Sequence, residues 1–369
     1  GARWDEAAPV LLEVASGATG DAGETRRIAG YELGVALYHL GFLQASYARF
    51  ASIAADPHHP RFAETLPWLA LLAEKLPEPA NVVERIGHYD ERMIEALAGE
   101  PHRPIYDQLE YLLGRYEYGA RSFDAAIRLF DRVGDESDWY VPAKLFTGIS
   151  HVQKREEAPA AAAFEAALAA LSKGAGGDDR ARLTNLAYLS LARTYYSSSV
   201  RLDDDGVPRI DATKLDAAIG YWDRIDDESE YWPDAVVEES WAYFMKGDHA
   251  RALGNVFTVE SPFFSHSLFP EADVVAGVSY LANCRYEDAA AVASRLERRY
   301  GPMARALRAE LARHDGDDAD DRLFDLVRDL GEGRADVPPA VAPLLARVLG
   351  DRKLRRIVDW VAMLDAERE

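Results

Sequence analysis

The sequence has one cysteine, Cys284, so no disulfide can form within the chain. Cysteine-poor chains occur in the cytosol and in bacterial periplasms alike, so both compartments stay open. No run of 18 apolar residues occurs, which excludes a membrane-spanning helix. Basic residues are in deficit: 42 Lys and Arg against 63 Asp and Glu leave a formal charge of −21. That balance argues against wrapping nucleic acid or docking on anionic lipid, both of which call for a basic face. Acidity otherwise reports solubility and names no partner. Sustained period-2 alternation is missing too, so strand is expected to be nearly absent. The chain starts at Gly1 without Met and shows no signal peptide, consistent with removal of an upstream segment.

Signatures of chemistry are equally scarce. There is no G-x-S-x-G, no phosphate loop and no G-x-G-x-x-G. His58 and His59 stand together in a loop between Pro57 and Pro60, but without H-E-x-x-H or cysteines at metal spacing they predict no zinc. Asp203, Asp204, Asp205 and Asp211 surround Gly206, yet a calcium loop of the EF-hand kind needs Asp where Arg201 stands and Glu where Ala212 stands. This stretch reads as a solvated acidic loop, and so does the run from Asp315 to Asp321. Glu238 and Glu239 are adjacent, so on a helix they point about 100° apart and do not converge. Cys284 has Arg285 beside it but no suitably placed His, which argues against a nucleophile. No cofactor or metal is expected, and catalysis is not.

What is there is a beat. Gly114, Ala126 and Phe130 return 34 residues later as Gly148, Ala160 and Phe164. A small residue is needed where two helices cross closely, and a bulky apolar one a turn later fills the space beside it. A period in this range indicates a solenoid of helix pairs. The same phase marks a pair over 25–54, at Leu33, Gly34, Ser46 and Phe50, and a blurred pair over 61–97. Three further units carry Ala192 with Ala218 and Trp222, Ser240 with Ala252, and Gly277 with Ala289. A polar insertion at 197–211 delays the second helix of the first of these, which is expected as a surface loop. Pro142, Pro233, Pro270 and Pro302 fall where units should begin or end.

The expected organisation is a helix and linker over 1–24, helix pairs over 25–103, core repeats over 104–302 and capping helices over 303–369. The fold class is all-α, a right-handed superhelical solenoid of antiparallel helix pairs with helical caps at both ends. Apolar positions from Val341 to Val361 make 338–369 a candidate cap for an otherwise exposed apolar end. Trp222, Trp232 and Trp241, with Tyr221, Tyr231 and Tyr243, are the densest aromatic cluster, and helical spacing assigns them mainly to core.

This phase resembles the tetratricopeptide repeat (TPR) superfamily. LLGRYEYGARSFDAAIRLFDRV (112–133) matches its Leu-Gly, aromatic, Ala and Phe pattern closely, and GISHVQKREEAPAAAAFEAAL (148–168) less fully. The resemblance covers roughly 25–302, with departures at Ala192 and Ser240, where the family has Gly. The strings YELGVALYHLGFLQASYARF (31–50), DESEYWPDAVVEESWAYFMKGDHARALGNV (227–256) and FPEADVVAGVSYLANCRYEDA (269–289) look like large envelope-associated TPR proteins of delta-proteobacteria. That likeness implies a scaffold in assembly of a bacterial envelope or motility complex, in the periplasm or cell envelope; a cytoplasmic scaffold is the alternative.

In this family the first helix of each pair lines a concave groove. Carried over by register, its inner positions are Gln108, Tyr111, Arg115 and Tyr118, then Leu145, Ile149 and Val152. The next units give Leu189, Arg193 and Tyr196, then Val237, Trp241 and Phe244. Such a surface suits a peptide or helix of a partner protein, with Arg115 and Arg193 gripping its carboxylates, or burial by the chain's own tail. Pairing of each Arg with an acid of the neighbouring repeat is the competing role. Two other functions stay open, a hydrolase using groove carboxylates and a purely structural, self-assembling solenoid.

Overall fold

The structure is a computed structural model that describes residues 3–313 except 78–80, 88, 100–101 and 265–267, together with 352–368 and the isolated positions 325, 328, 329, 334, 341 and 344. The acidic run after 314, most of the linker 331–336 and most of 338–351 lie outside the described residues. The chain forms two compact units, Gly1–Glu156 with Arg356–Glu369, and Glu157–Arg355.

In the first unit, α1 (Trp4–Ser16) is followed by the pair α2 (Gly23–Leu40) and α3 (Leu43–Ala54). Then come α4 (Thr65–Lys75), the short α5 (Val82–Ile86) and α6 (Glu91–Glu95), the pair α7 (Arg103–Gly119) and α8 (Phe123–Phe130), and α9 (Tyr140–Gln153). The second unit runs α10 (Glu157–Ser172), α11 (Arg180–Ser197), α12 (Ala212–Trp222), α13 (Trp232–Met245), α14 (His249–Val259), α15 (Pro270–Ala282) and α16 (Tyr286–Arg313). The last helix is α17 (Arg352–Arg368). The architecture is the expected all-α array of helix pairs.

The 12-residue step is a close crossing. A Cβ added to Gly34 would come within 2.9 Å of the Phe50 ring, and one added to Gly114 would strike Phe130 still harder. Phe50, Phe130 and Phe164 are fully buried, each 16 residues after its Gly, as are Ala126, Ala160, Ala218 and Ala252. Aromatic rings packed on bare helix backbone remove most of their apolar area from water, about 1.5–3 kcal/mol each.

The turns share a second register. Seven residues after each small position the chain is left-handed, at Gly41 (φ 88°), Arg121 (φ 61°), Arg155 (φ 61°), Gly247 (φ 78°) and Cys284 (φ 58°). This conformation lets the amide of the next residue fold back to a carbonyl of the helix just ended, as Phe42 N–H does to Leu37 and Ser122 N–H to Glu117. Cys284 is thus an exposed turn residue rather than part of a helix.

An ion-pair motif also recurs by register. Glu110 and Asp273 stand four residues before Gly114 and Gly277, and Arg132 and Arg295 stand six after Ala126 and Ala289. Arg132 bridges Glu91 (2.5 Å) and the fully buried Glu110 (3.4 Å). Arg295 bridges Glu260 (2.8 Å) and the buried Asp273 (2.8 Å). One arginine per unit therefore sits between two acids, and burial pushes the Glu110 and Glu260 carboxyls above their ordinary value.

Four expectations need correction. The helix expected over 81–97 is broken into α5 and α6, with Asp90 capping the second through the Arg92 amide. The insertion is a hairpin rather than a loop: β1 (Val200–Leu202) pairs antiparallel with β2 (Pro208–Ile210). All six strand residues are exposed, so no apolar alternation announced them. Asp203 organises the turn, accepting from the Asp205 and Val207 amides (3.1 and 2.8 Å) and from Arg209 Nε (2.8 Å). Pro302 does not end a unit; it lies inside α16 on an exposed face, where water can satisfy the carbonyl it leaves unpaired.

The fourth correction concerns the tail. The residues from Arg356 onward belong to the first unit, not to the end of the last repeat. Glu367 accepts from the Gln44 and Ala45 amides (2.9 and 3.0 Å), filling the N-terminal donors of α3. Trp360 donates from Nε1 to Gln44 Oε1 (3.3 Å) and, with Met363, packs on the first unit's core.

Two predictions follow from these registers. Gly114→Ala should lower stability by about 1–3 kcal/mol by forcing Phe130 off the helix, whereas Arg121→Gly should raise it by about 0.5–1 kcal/mol by relieving a left-handed residue. Urea unfolding midpoints check both. In the insertion, Asp211 caps α12 by accepting from the Thr213 and Lys214 amides, so Asp211→Ala should cost about 0.5–2 kcal/mol. Asp204→Ala, at the exposed turn, should stay within about 0.5 kcal/mol of the parent, and added calcium should shift neither melting curve.

Candidate functional site

The inner positions divide by unit. In the first, Gln108 and Tyr111 are buried. Gln108 Nε2 donates to the Ala70 carbonyl (2.9 Å), tying α7 to α4. Tyr111 stacks on Trp139 at 5.0 Å. Tyr118 packs against Phe123 and Phe146. Arg115 lies over the rings of Tyr111 (6.0 Å) and Phe146 (5.5 Å). Phe146 reaches it from α9, one residue beyond the inner position Leu145, which is itself buried. Ile149 is half-buried and Val152 exposed.

The tail shares this surface. A cavity of about 220 Å³ is lined by Tyr111, Arg115, Val82 and Trp139, and Arg356 of α17 is on its wall. With Trp360 on the core and Glu367 at α3, α17 runs from this cavity to the start of the second helix of the first pair. In the first unit, then, intrachain packing takes most of the inner residues.

In the second unit Leu189 and Val237 are core residues, 2% and 4% exposed. Arg193 is paired: its Nε donates to both Glu238 oxygens (3.0 and 2.9 Å) and an Nη to Oε1 (2.5 Å). The acid comes from the next repeat, so the competing role of Arg193 is the one realised. The pair holds α11 to α13, and the guanidinium binds its proton more firmly still. Tyr196 packs half-buried against Trp222 at 5.7 Å. Trp241 and Phe244 meet edge to face at 6.0 Å, both half-buried. The register missed the last repeat, where Val274 (43% exposed) and Leu281 (55%) hold the same inner positions relative to Gly277. The signal was available: each is offset from Gly277 as Val237 and Phe244 are from Ser240. The aromatic cluster is core in the main, with Trp222 and Tyr243 buried and Tyr221, Tyr231 and Trp232 packed against the same core.

Titratable groups serve packing rather than an open site. Glu239 points away from Glu238 into α14, where Asn255 Nδ2 donates to its Oε2 (2.8 Å) and its Oε1 finds no hydrogen-bond partner. Burial, with Asp223 nearby, pushes this carboxyl up to about 7. Neither Glu239 nor Glu110 lines the 220 Å³ cavity, nor a second of about 590 Å³ beside the 134–139 turn. That second cavity gathers Asp107, Asp135, Glu136 and Asp138, but Asp107 is already held by Arg103 Nε (3.0 Å) and the Gly134 amide (3.2 Å). His59 Nδ1 accepts from the Arg61 amide, which leaves only its Nε2 for any ligand. Among the described residues no His, Cys, Asp and Glu group could hold a metal ion, and no helix is long and apolar enough to cross a membrane.

Known proteins were compared at the level of family, sequence and structure. No family model matches the chain, and no curated protein matches it. Among solved structures, a tetratricopeptide repeat protein from Parabacteroides merdae ATCC 43184 is similar, with a TM-score of 0.40 and 15% identity over 73% of this chain and 92% of that one.

The Glu239 site makes a pH prediction. Its folded pKa of about 7 lies above its ordinary 4.5, so between those values the folded chain keeps a proton that the unfolded chain has released. This group's contribution to stability therefore falls as pH rises through that window. Glu239→Gln should stabilise the protein by about 1–3 kcal/mol at pH 8 and by much less at pH 5. Urea unfolding at the two pH values checks it; an equal effect at both would show that the carboxyl is ionised throughout.

Proposed function

We propose that this chain is a non-catalytic scaffold that holds a peptide or helix of a partner protein on the inner positions of its second unit. The observation that carries the reading is the contrast between the units. In the first, Tyr111, Arg115 and Tyr118 are engaged by the chain itself; in the second, Val274 and Leu281 stand exposed in register with half-exposed Tyr196, Trp241 and Phe244. Monomeric proteins seldom leave large apolar side chains in register on one face without a use. Aromatic rings beside aliphatic residues, with polar groups at the margin, suit the apolar stripe of an amphipathic segment. The Arg193–Glu238 pair supplies a polar edge for orientation. A charge of −21 disfavours nucleic acid as the occupant.

The place of action we infer is the bacterial cell envelope, in assembly of an envelope or motility complex. Support for it is the likeness of 31–50, 227–256 and 269–289 to envelope-associated repeat proteins. The test is capture from an envelope extract of the source organism on the immobilised chain, read by peptide identification. The expected outcome is a protein retained by the parent and lost with Val274→Glu plus Leu281→Glu, with the melting temperature unchanged because both positions are exposed. The same protein retained equally by parent and double variant would sink the proposal.

A further inference from the structure

The first helix pair and α1 line an open cavity of about 720 Å³, within the size range of small-molecule sites. Its apolar wall comes from Leu12 of α1, Leu33 and Leu37 of α2 and Ile53 of α3. Its polar wall is basic: Arg26, Arg27 and Arg49 line it, with Asp56 as the one acid. Asp56 is taken by Arg27, whose Nη2 donates to it at 2.5 Å. Arg26 lies over Gly17 at the C-terminal end of α1. Arg49 makes no ion pair among the described residues. On a chain of charge −21, a cavity with a net basic lining is an exception that solubility does not explain.

Gly30 is the second observation. It lies in the interior of α2 and lines the cavity. Glycine there costs about 1 kcal/mol relative to alanine, and close packing is the usual compensation, as at Gly34, where a Cβ would meet Phe50. At Gly30 an added Cβ would meet nothing within 4 Å. Gly220 in α12 and Gly254 in α14 are open in the same way, so the glycine alone marks no site; at Gly30 the open helix backbone coincides with the apolar wall of the cavity and leaves room there for a ligand's chain.

We propose that this cavity binds a carboxylate with a medium-length apolar chain, of the fatty-acid kind. The chain lies on Gly30 between Leu12, Leu33, Leu37 and Ile53, and the carboxylate meets Arg49 and Arg26. A guanidinium offers paired N–H donors that match a carboxylate, and a charge-assisted pair is stronger than a neutral hydrogen bond. Each methylene withdrawn from water adds to binding in proportion to area. The site is separate from the inner positions of the second unit and stands or falls independently of them.

The test is isothermal titration of the full chain with dodecanoate and with dodecyltrimethylammonium, both below the concentrations at which they form micelles. Dodecanoate should bind at least tenfold more tightly than the cation. Arg49→Gln, at an exposed position, should weaken dodecanoate at least tenfold and leave the cation unchanged. Gly30→Leu should abolish binding of dodecanoate by filling the space, with a melting temperature no lower than the parent's. Equal affinity for the two head groups, full dodecanoate affinity in Arg49→Gln, or full affinity in a folded Gly30→Leu would each overturn the proposal. So would tighter binding of a Leu-Leu-terminated peptide with a free carboxylate, which would assign the cavity to a protein C-terminus.

Discussion

The seating of an aromatic ring on bare helix backbone is the contact on which the rest of this molecule depends. Phe50 on Gly34 and Phe130 on Gly114 set how closely two helices of a pair approach. That approach fixes where the turn falls, and so where the next helix starts. A left-handed residue seven positions after the small one follows from the same geometry, even where Arg121, Arg155 or Cys284 must adopt it at a cost of about 1–2 kcal/mol. Two arginines and a cysteine held in one strained conformation, where other repeats have Gly41 and Gly247, show that the crossing dictates the turn. Helical propensity along the chain is too weak to impose such regularity by itself.

Charge is arranged around this apolar frame in two distinct ways. Arg132 and Arg295 each hold two acids, one of them buried, at matching steps of the repeat. Such triads carry a desolvation penalty that apolar residues would avoid. They also fix which helix faces which, because a buried Glu110 or Asp273 left without its arginine would be far more costly than any mispacking it replaced. Glu239 does the opposite: with Asn255 as its partner and no cation against it, it settles its burial by keeping its proton.

The array was legible in the sequence because its cause is local. Small residue, turn and bulky residue recur within 16 positions, so periodicity alone recovers the pairs, and the same register would have added Val274 and Leu281 to the inner surface. Features fixed by distant partners were not legible. Nothing near Arg193 says that Glu238, 45 residues on, will take both of its donors. Nothing near Arg115 says that Phe146 of α9 will lie under its guanidinium. The hairpin at 200–210 escaped for a different reason: with both faces in water, its residues carry no alternation to read.

The placement of α17 sets an order of assembly. Glu367 reaches the amide of Gln44 across 323 positions of chain. Helices α2 and α3 are thus completed late, since their closing element is made after all the intervening repeats. Until then the α3 amides and the apolar surface awaiting Trp360 and Met363 stay open to water or to a chaperone. Contacts so distant in sequence form late and slow the final step of folding. A chain halted before 352 would hold its repeats, each built from local contacts, and still present an unfinished first unit. The first unit is therefore complete only in a chain that reaches α17.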